Sequence, residues 1–177
     1  MTGVIWIING IPGSGKSTLA RVLAARFARA VHIEGDALQT CIISGSVPPG
    51  ASPQAEEQRQ IRLNVRNQCL LARSFAEEGF VAVIDYILVN RERVREYSEA
   101  LRGLDVHLVT LAPPVQIALE RDLKRAEKHV AAQWVHLREQ IEAELTGLGL
   151  WVDNSELTAQ QTVDHVLAAQ AAARLKV

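Results

Sequence analysis

The chain has 177 residues, 48% of them hydrophobic and 22% charged, with a formal net charge of −1. That length fits one domain, 1–177, with a sizeable core. A charge this close to zero argues against a long nucleic acid or an anionic membrane as partner. No apolar run approaches the ~20 residues that span a bilayer. The N-terminus shows neither a basic n-region nor a cleavage site, and Cys41 and Cys69 make no disulfide framework. The expectation is a cytoplasmic protein whose two thiols serve packing.

Val4-Ile5-Trp6-Ile7-Ile8 reads as a buried strand, and Thr18 to Leu23 as the start of a helix. Between them lies Gly10-Ile11-Pro12-Gly13-Ser14-Gly15-Lys16-Ser17, which is G-x-x-x-x-G-K-S in the strand-to-helix context that marks a phosphate-binding loop. Its glycines let successive N–H groups converge on an anion, and the helix N-terminus adds unpaired donors and a favourable dipole. Lys16 is expected to reach the β- and γ-phosphates, and the Ser17 hydroxyl to join a magnesium shell. Gly10, Pro12, Gly13, Ser14, Gly15, Lys16, Ser17 and Thr18 are therefore the nucleotide-binding candidates.

Ala30 to Ile33 predicts a second strand ending in Glu34-Gly35-Asp36, followed by a weak helix over 37–44 and a Pro/Gly loop over 46–53. A long helix is expected from Gln54 to Glu78, with Ile61, Val65, Cys69, Ala72 and Ala76 as its apolar stripe and Gly79 at its end. Phe80 to Ile84 reads as a central parallel strand closed by Asp85. Helix 91–102, strand 106–111, a charged helix from Val115 to about His129, helix 132–146, strand 150–152 and a helix from Thr158 to about Leu175 complete the pattern. Alternation of this kind predicts an α/β fold, about five parallel strands with helices on both faces. Ligands then bind at the C-terminal ends of the strands, where the loop, Glu34–Asp36, Asp85–Tyr86 and Ala112–Pro114 converge.

Asp36 is the candidate general base on an acceptor hydroxyl, with Gly35 allowing a tight turn; the alternative is an N-cap on a helix starting at Ala37. Asp85 stands as a Walker-B carboxylate would, for magnesium, with acceptor binding as the other reading. Tyr86 either lines the acceptor pocket or simply packs. Arg121 and Arg125 share a helical face and suit a lid that meets charge on a moving phosphoryl group, whereas Lys124 and Lys128 read as solvated. Arg59, Arg62 and Arg66 read as a solvated face of the long helix, His129 and His136 lack a metal-ligand pattern, and Trp134 and Trp151 read as packing residues.

On the loop, Ile33-Glu34-Gly35-Asp36, Val83-Ile84-Asp85 and Arg121-Asp122-Leu123-Lys124-Arg125, the chain resembles the small P-loop kinases. These include gluconate, shikimate and adenylylsulfate kinases, chloramphenicol phosphotransferase and the kinase domain of polynucleotide 5′-hydroxyl kinase. The resemblance implies a three-layer P-loop NTPase fold with a small helical lid at about 121–135, and ATP and Mg2+ as ligands. It also places Val152-Asp153-Asn154-Ser155 along the adenine ring, which brings in Asn154. No acceptor-recognition signature for gluconate, shikimate or adenylylsulfate is present. The expected activity is ATP-dependent phosphorylation of a hydroxyl on a small molecule. A nucleoside, nucleotide or 5′-hydroxyl kinase is the neighbouring reading, and a slowly hydrolysing nucleotide-binding regulatory module the reading from another class.

Overall fold

The computed structural model describes residues 3–124 and 131–175. Five strands, β1 (Val4–Asn9), β2 (Ala30–Glu34), β3 (Val81–Asp85), β4 (Asp105–Leu111) and β5 (Leu150–Val152), form one parallel sheet in the order β2-β3-β1-β4-β5. The apolar runs of β1 and β3 are buried on both sides, as central parallel strands must be.

Strand alternation divides the core. Ile5, Ile7, Ala82, Ile84, Val106 and Leu108 face α3 (Gln54–Glu77), α4 (Arg91–Ala100) and α7 (Leu137–Leu145). Trp6, Ile8, Val83, Val109 and Val152 face α1 (Lys16–Ala24) and α8 (Ala159–Ala168). Val65, Cys69, Ala72 and Ala76 of the anticipated α3 stripe are buried, and Ile61 lies instead on the wall of a cavity.

Several helical boundaries differ from expectation. The helix begun at Val115 (α5) ends at Leu123, because buried Asp122 turns inward and its Oδ2 accepts from Ala131 N at 2.8 Å. The segment read as helix 132–146 is two helices, α6 (Ala131–Trp134) and α7, with a turn at 135–136 that sets Trp134 and Leu137 on the cavity wall. The final helix divides at Ala169 into α8 and α9 (Gln170–Ala173). There Leu175 N donates to Val106 O and Arg174 pairs with Asp105, drawing the chain back to β4. Thr158 and Gln161 cap α8 reciprocally. Among the described residues no helix is long and apolar enough to cross a membrane.

Candidate active site

The phosphate loop runs from the end of β1 into α1. Gly10, Gly13 and Gly15 all take positive φ, at 143°, 82° and 97°. At Gly13 the constraint is doubled, because a Cβ would also overlap the backbone carbonyl of Ala118 on α5. Ser14 N donates to Ile11 O at 3.2 Å, and α1 opens at Lys16 with no side chain capping its first turn. Its N–H groups are thus left for an anion. Ser14 Oγ is buried without a hydrogen-bond partner among the described residues. Lys16 Nζ donates to Ile11 O at 3.2 Å, folded over the loop it belongs to. Ser17 follows in the first turn and Thr18 is exposed.

Asn154 and Arg121 brace this cradle from the far side. Asn154 is buried and its Nδ2 donates to Ser14 O at 3.0 Å, while Arg121 donates to Asn154 O and Ser155 O at 2.9 and 3.1 Å. Arg121 therefore fastens α5 to the loop after β5. Arg125, Lys128 and His129 lie outside the described residues.

Asp85 and Tyr86 diverge. Asp85 shares the α1 face with Val83, is 4% exposed, and its Oδ2 lies 3.0 Å from His32 Nε2 on the neighbouring strand. Tyr86 shares the opposite face with Ile84, packed in the α3–α4 core at the edge of the cavity. Burial, reinforced by the nearby Asp36 carboxylate, pushes the Tyr86 hydroxyl up to about 12, so it stays protonated and able to donate.

Asp36 is exposed in the first turn of α2 (Gly35–Thr40). It does not cap that helix: the N-cap is Glu34, and α2 begins two residues before Ala37 and ends at Thr40. Gly35 serves packing and not a turn, since a Cβ there would run into the Tyr86 ring and come 2.6 Å from Gln68 Nε2. Asp36 opens onto a cavity of about 980 Å³, whose wall also includes Pro12 of the phosphate loop, Tyr86, Asn90, Arg93 and Trp134.

Several residues of this site escaped the sequence reading. The buried polar positions Glu57, Gln60, Asn64 and Gln68 recur at helical spacing on α3, beside its apolar stripe. Gln60 accepts from Val47 N and donates to Gly45 O, and Glu57 Oε1 accepts from Gly50 N at 2.6 Å, which pins the proline-rich loop that roofs the cavity. Asn64 Nδ2 donates to Gly35 O at 2.9 Å and its Oδ1 accepts from Gln68 Nε2 at 3.0 Å; Tyr97 on α4 in turn donates to Gln68. Asn9 ties the strand ends together, accepting from Leu88 N and donating to Thr110 Oγ1. Trp134, read from the sequence as a packing residue, stands half-buried on the cavity wall. Arg59, Arg62 and Arg66 line a different groove, between α3 and α4, opposite Glu96 and Glu99.

Known proteins share this fold. The chain is 28% identical over 173 residues to an adenylyl-sulfate kinase of Paraburkholderia xenovorans, covering 93% of this chain and 90% of that one. A sugar kinase from Janibacter sp. superposes with a TM-score of 0.72 at 19% identity, over 97% of this chain and 96% of the other. The Mycobacterium tuberculosis APS kinase in complex with AMPPNP and APS gives 0.70 at 16% identity, over 96% and 98%. The AAA_33 family model, described as an AAA domain, matches residues 5–145, from the first strand to the end of α7. The chain belongs to this family of P-loop kinase-like proteins.

Proposed function

We propose that the protein is an ATP-dependent, magnesium-assisted phosphotransferase acting on the hydroxyl of a small molecule. One observation carries the reading: Asp36 and Pro12 share the wall of a single cavity, so an acceptor seated there lies between a carboxylate and the phosphate loop. The glycine conformations, the uncapped first turn of α1 and the orphaned Ser14 hydroxyl fit a bound polyphosphate. Ser17 and Asp85 are the residues that would hold magnesium, Asp85 with its carboxylate oriented by His32. Among the described residues no three histidines, cysteines or carboxylates converge, so the ion would rest on few protein ligands and on the phosphates, as magnesium commonly does. Bound there, it would neutralise charge on the β- and γ-phosphates.

In this reading the cavity orients the acceptor, and Asp36 takes the hydroxyl proton as the acceptor oxygen bonds to the γ-phosphorus. The bond from that phosphorus to the bridging oxygen breaks, leaving its electron pair on ADP. Tyr86, kept protonated, donates to the acceptor, and Asn154 supports the nucleotide side. Arg121 holds α5 in place, and Arg125 is assigned to charge neutralisation over the phosphoryl group.

Asp36→Asn tests the assignment. Acceptor phosphorylation should fall by about 10²- to 10⁴-fold, the usual contribution of a positioned base, while the affinity for a fluorescent ATP analogue stays the same. Unchanged acceptor turnover would remove Asp36 from the role.

A further inference from the structure

We infer that the acceptor is an amino alcohol with an apolar body, not a carboxylate, sulfate or phosphate ester. This rests on the phosphotransferase reading and names its substrate class. Among the described residues of the cavity wall, two carboxylates, Asp36 and Glu57, face one guanidinium, Arg93, with His136 beside Trp134 on the same wall. Arg93 is 7% exposed and already paired with Glu96 at 2.5 Å, so its charge is answered from α4.

The other described arginines near the site are committed elsewhere. Arg121 donates to the loop after β5, and Arg138 donates to Ala112 O and Pro113 O and pairs with Glu142. Arg59, Arg62 and Arg66 line the separate groove between α3 and α4. Recognition of a carboxylate or sulfate ordinarily uses a forked arginine contact, and Arg93, the one described arginine on this wall, already spends Nη1 of its fork on Glu96. Glu57 is held in place by Gly50 N, which donates to its Oε1 and so fixes an acidic side chain on the wall. The remaining lining divides between neutral amides, such as Gln39, Asn90 and Gln133, and an apolar surface of Trp134, Tyr86, Ile87 and Leu137. About 980 Å³ is room for a drug-sized molecule. A protonated amine near the two carboxylates gains the Coulomb energy that an anion would have to oppose.

Two series that keep a primary hydroxyl and vary the charge test the inference with full-length protein: phenylalaninol, its N-acetyl and its N-succinyl derivative, and glucosamine, glucose and gluconate. Phosphorylated product is followed by mass spectrometry with ATP and magnesium, and binding by calorimetry with a non-hydrolysable ATP analogue. The amine member should exceed the acid member by at least about tenfold in kcat/KM, the size of one partly screened charge pair. Glu57→Gln should narrow that ratio. An acid member turned over as well as its amine overturns the inference and leaves the phosphotransferase reading intact. If nothing is phosphorylated yet the amines bind selectively, the phosphotransferase reading falls and the charge preference stands. Equal binding by both charges, or none by either, overturns the inference.

Discussion

Replacing Asn64 with leucine removes the residue that ties α3 to the base of α2. The two side chains share a branched outline of four heavy atoms, so the change is chiefly one of hydrogen bonding. Asn64 is 3% exposed; its loss strands the Gly35 carbonyl and Gln68 Nε2 in the interior and also takes a donor from Oε1 of half-buried Gln39. A buried group left without a partner costs about 1–3 kcal/mol, so the two together predict a loss of about 2–5 kcal/mol. For a chain of this length that is a fall of roughly 5–15 °C in Tm. Urea unfolding followed by circular dichroism measures it, with the midpoint moving and the slope unchanged. Gln68→Leu should cost a similar amount, because it strands Asn64 Oδ1 and the Tyr97 hydroxyl. In the double variant the Asn64–Gln68 partners disappear together, leaving Gly35 O, Gln39 Oε1 and the Tyr97 hydroxyl without their former partners. The double loss should therefore fall short of the sum by about 2 kcal/mol. A single-variant change below about 0.5 kcal/mol, the scale of a neutral surface substitution, would refute the reasoning, and so would strict additivity.

Gly13→Ala should abolish nucleotide binding, measured with a fluorescent ATP analogue, because the new Cβ meets both an unfavourable φ and the Ala118 carbonyl; retained affinity would show that α5 gives way. Thiol labelling with an aromatic disulfide should modify Cys41, which is exposed, and spare Cys69, which is 2% exposed and whose thiol burial pushes up to about 12. Alkaline stability follows from the same burial. Cys69 and Tyr86 both rise to about 12 in the fold, from ordinary values of 9.0 and 10.0, so the unfolded chain loses those protons first. Stability should be intact below about pH 9 and decline as pH rises from there toward about 12, and Tyr86→Phe should reduce the decline in urea titrations between pH 10 and 12.

Much of the fold could be read from residue order because its signals are local. The apolar runs at Val4–Ile8 and Val81–Ile84 have few solutions other than buried parallel strands, and a glycine-rich turn between strand and helix carries its own geometry. Asp36, Asp85 and Tyr86 could be placed at the C-terminal edge of the sheet for the same reason, since each lies at or just after the end of a recognisable strand. The polar stripe of Glu57, Gln60, Asn64 and Gln68 passed as an ordinary hydrophilic face, although its spacing was visible. Whether a glutamine meets water or a buried carbonyl depends on a loop 15 residues away along the chain, as for Gln60 and Gly45.

Residue order by itself thus determined the α/β class, the anion cradle and the family, each written in contiguous residues and short periods. Only the folded chain decided that Asp85 turns toward α1 while its neighbour Tyr86 turns toward α3, a consequence of strand alternation once the register with β1 and β2 is set. It also decided that Trp134 lines a cavity, that Asp122 is buried, and that the arginines of α3 look away from Asp36. The charge of a binding site is a sum over side chains brought together from distant parts of the chain, and that sum exists only after the helices have chosen their faces.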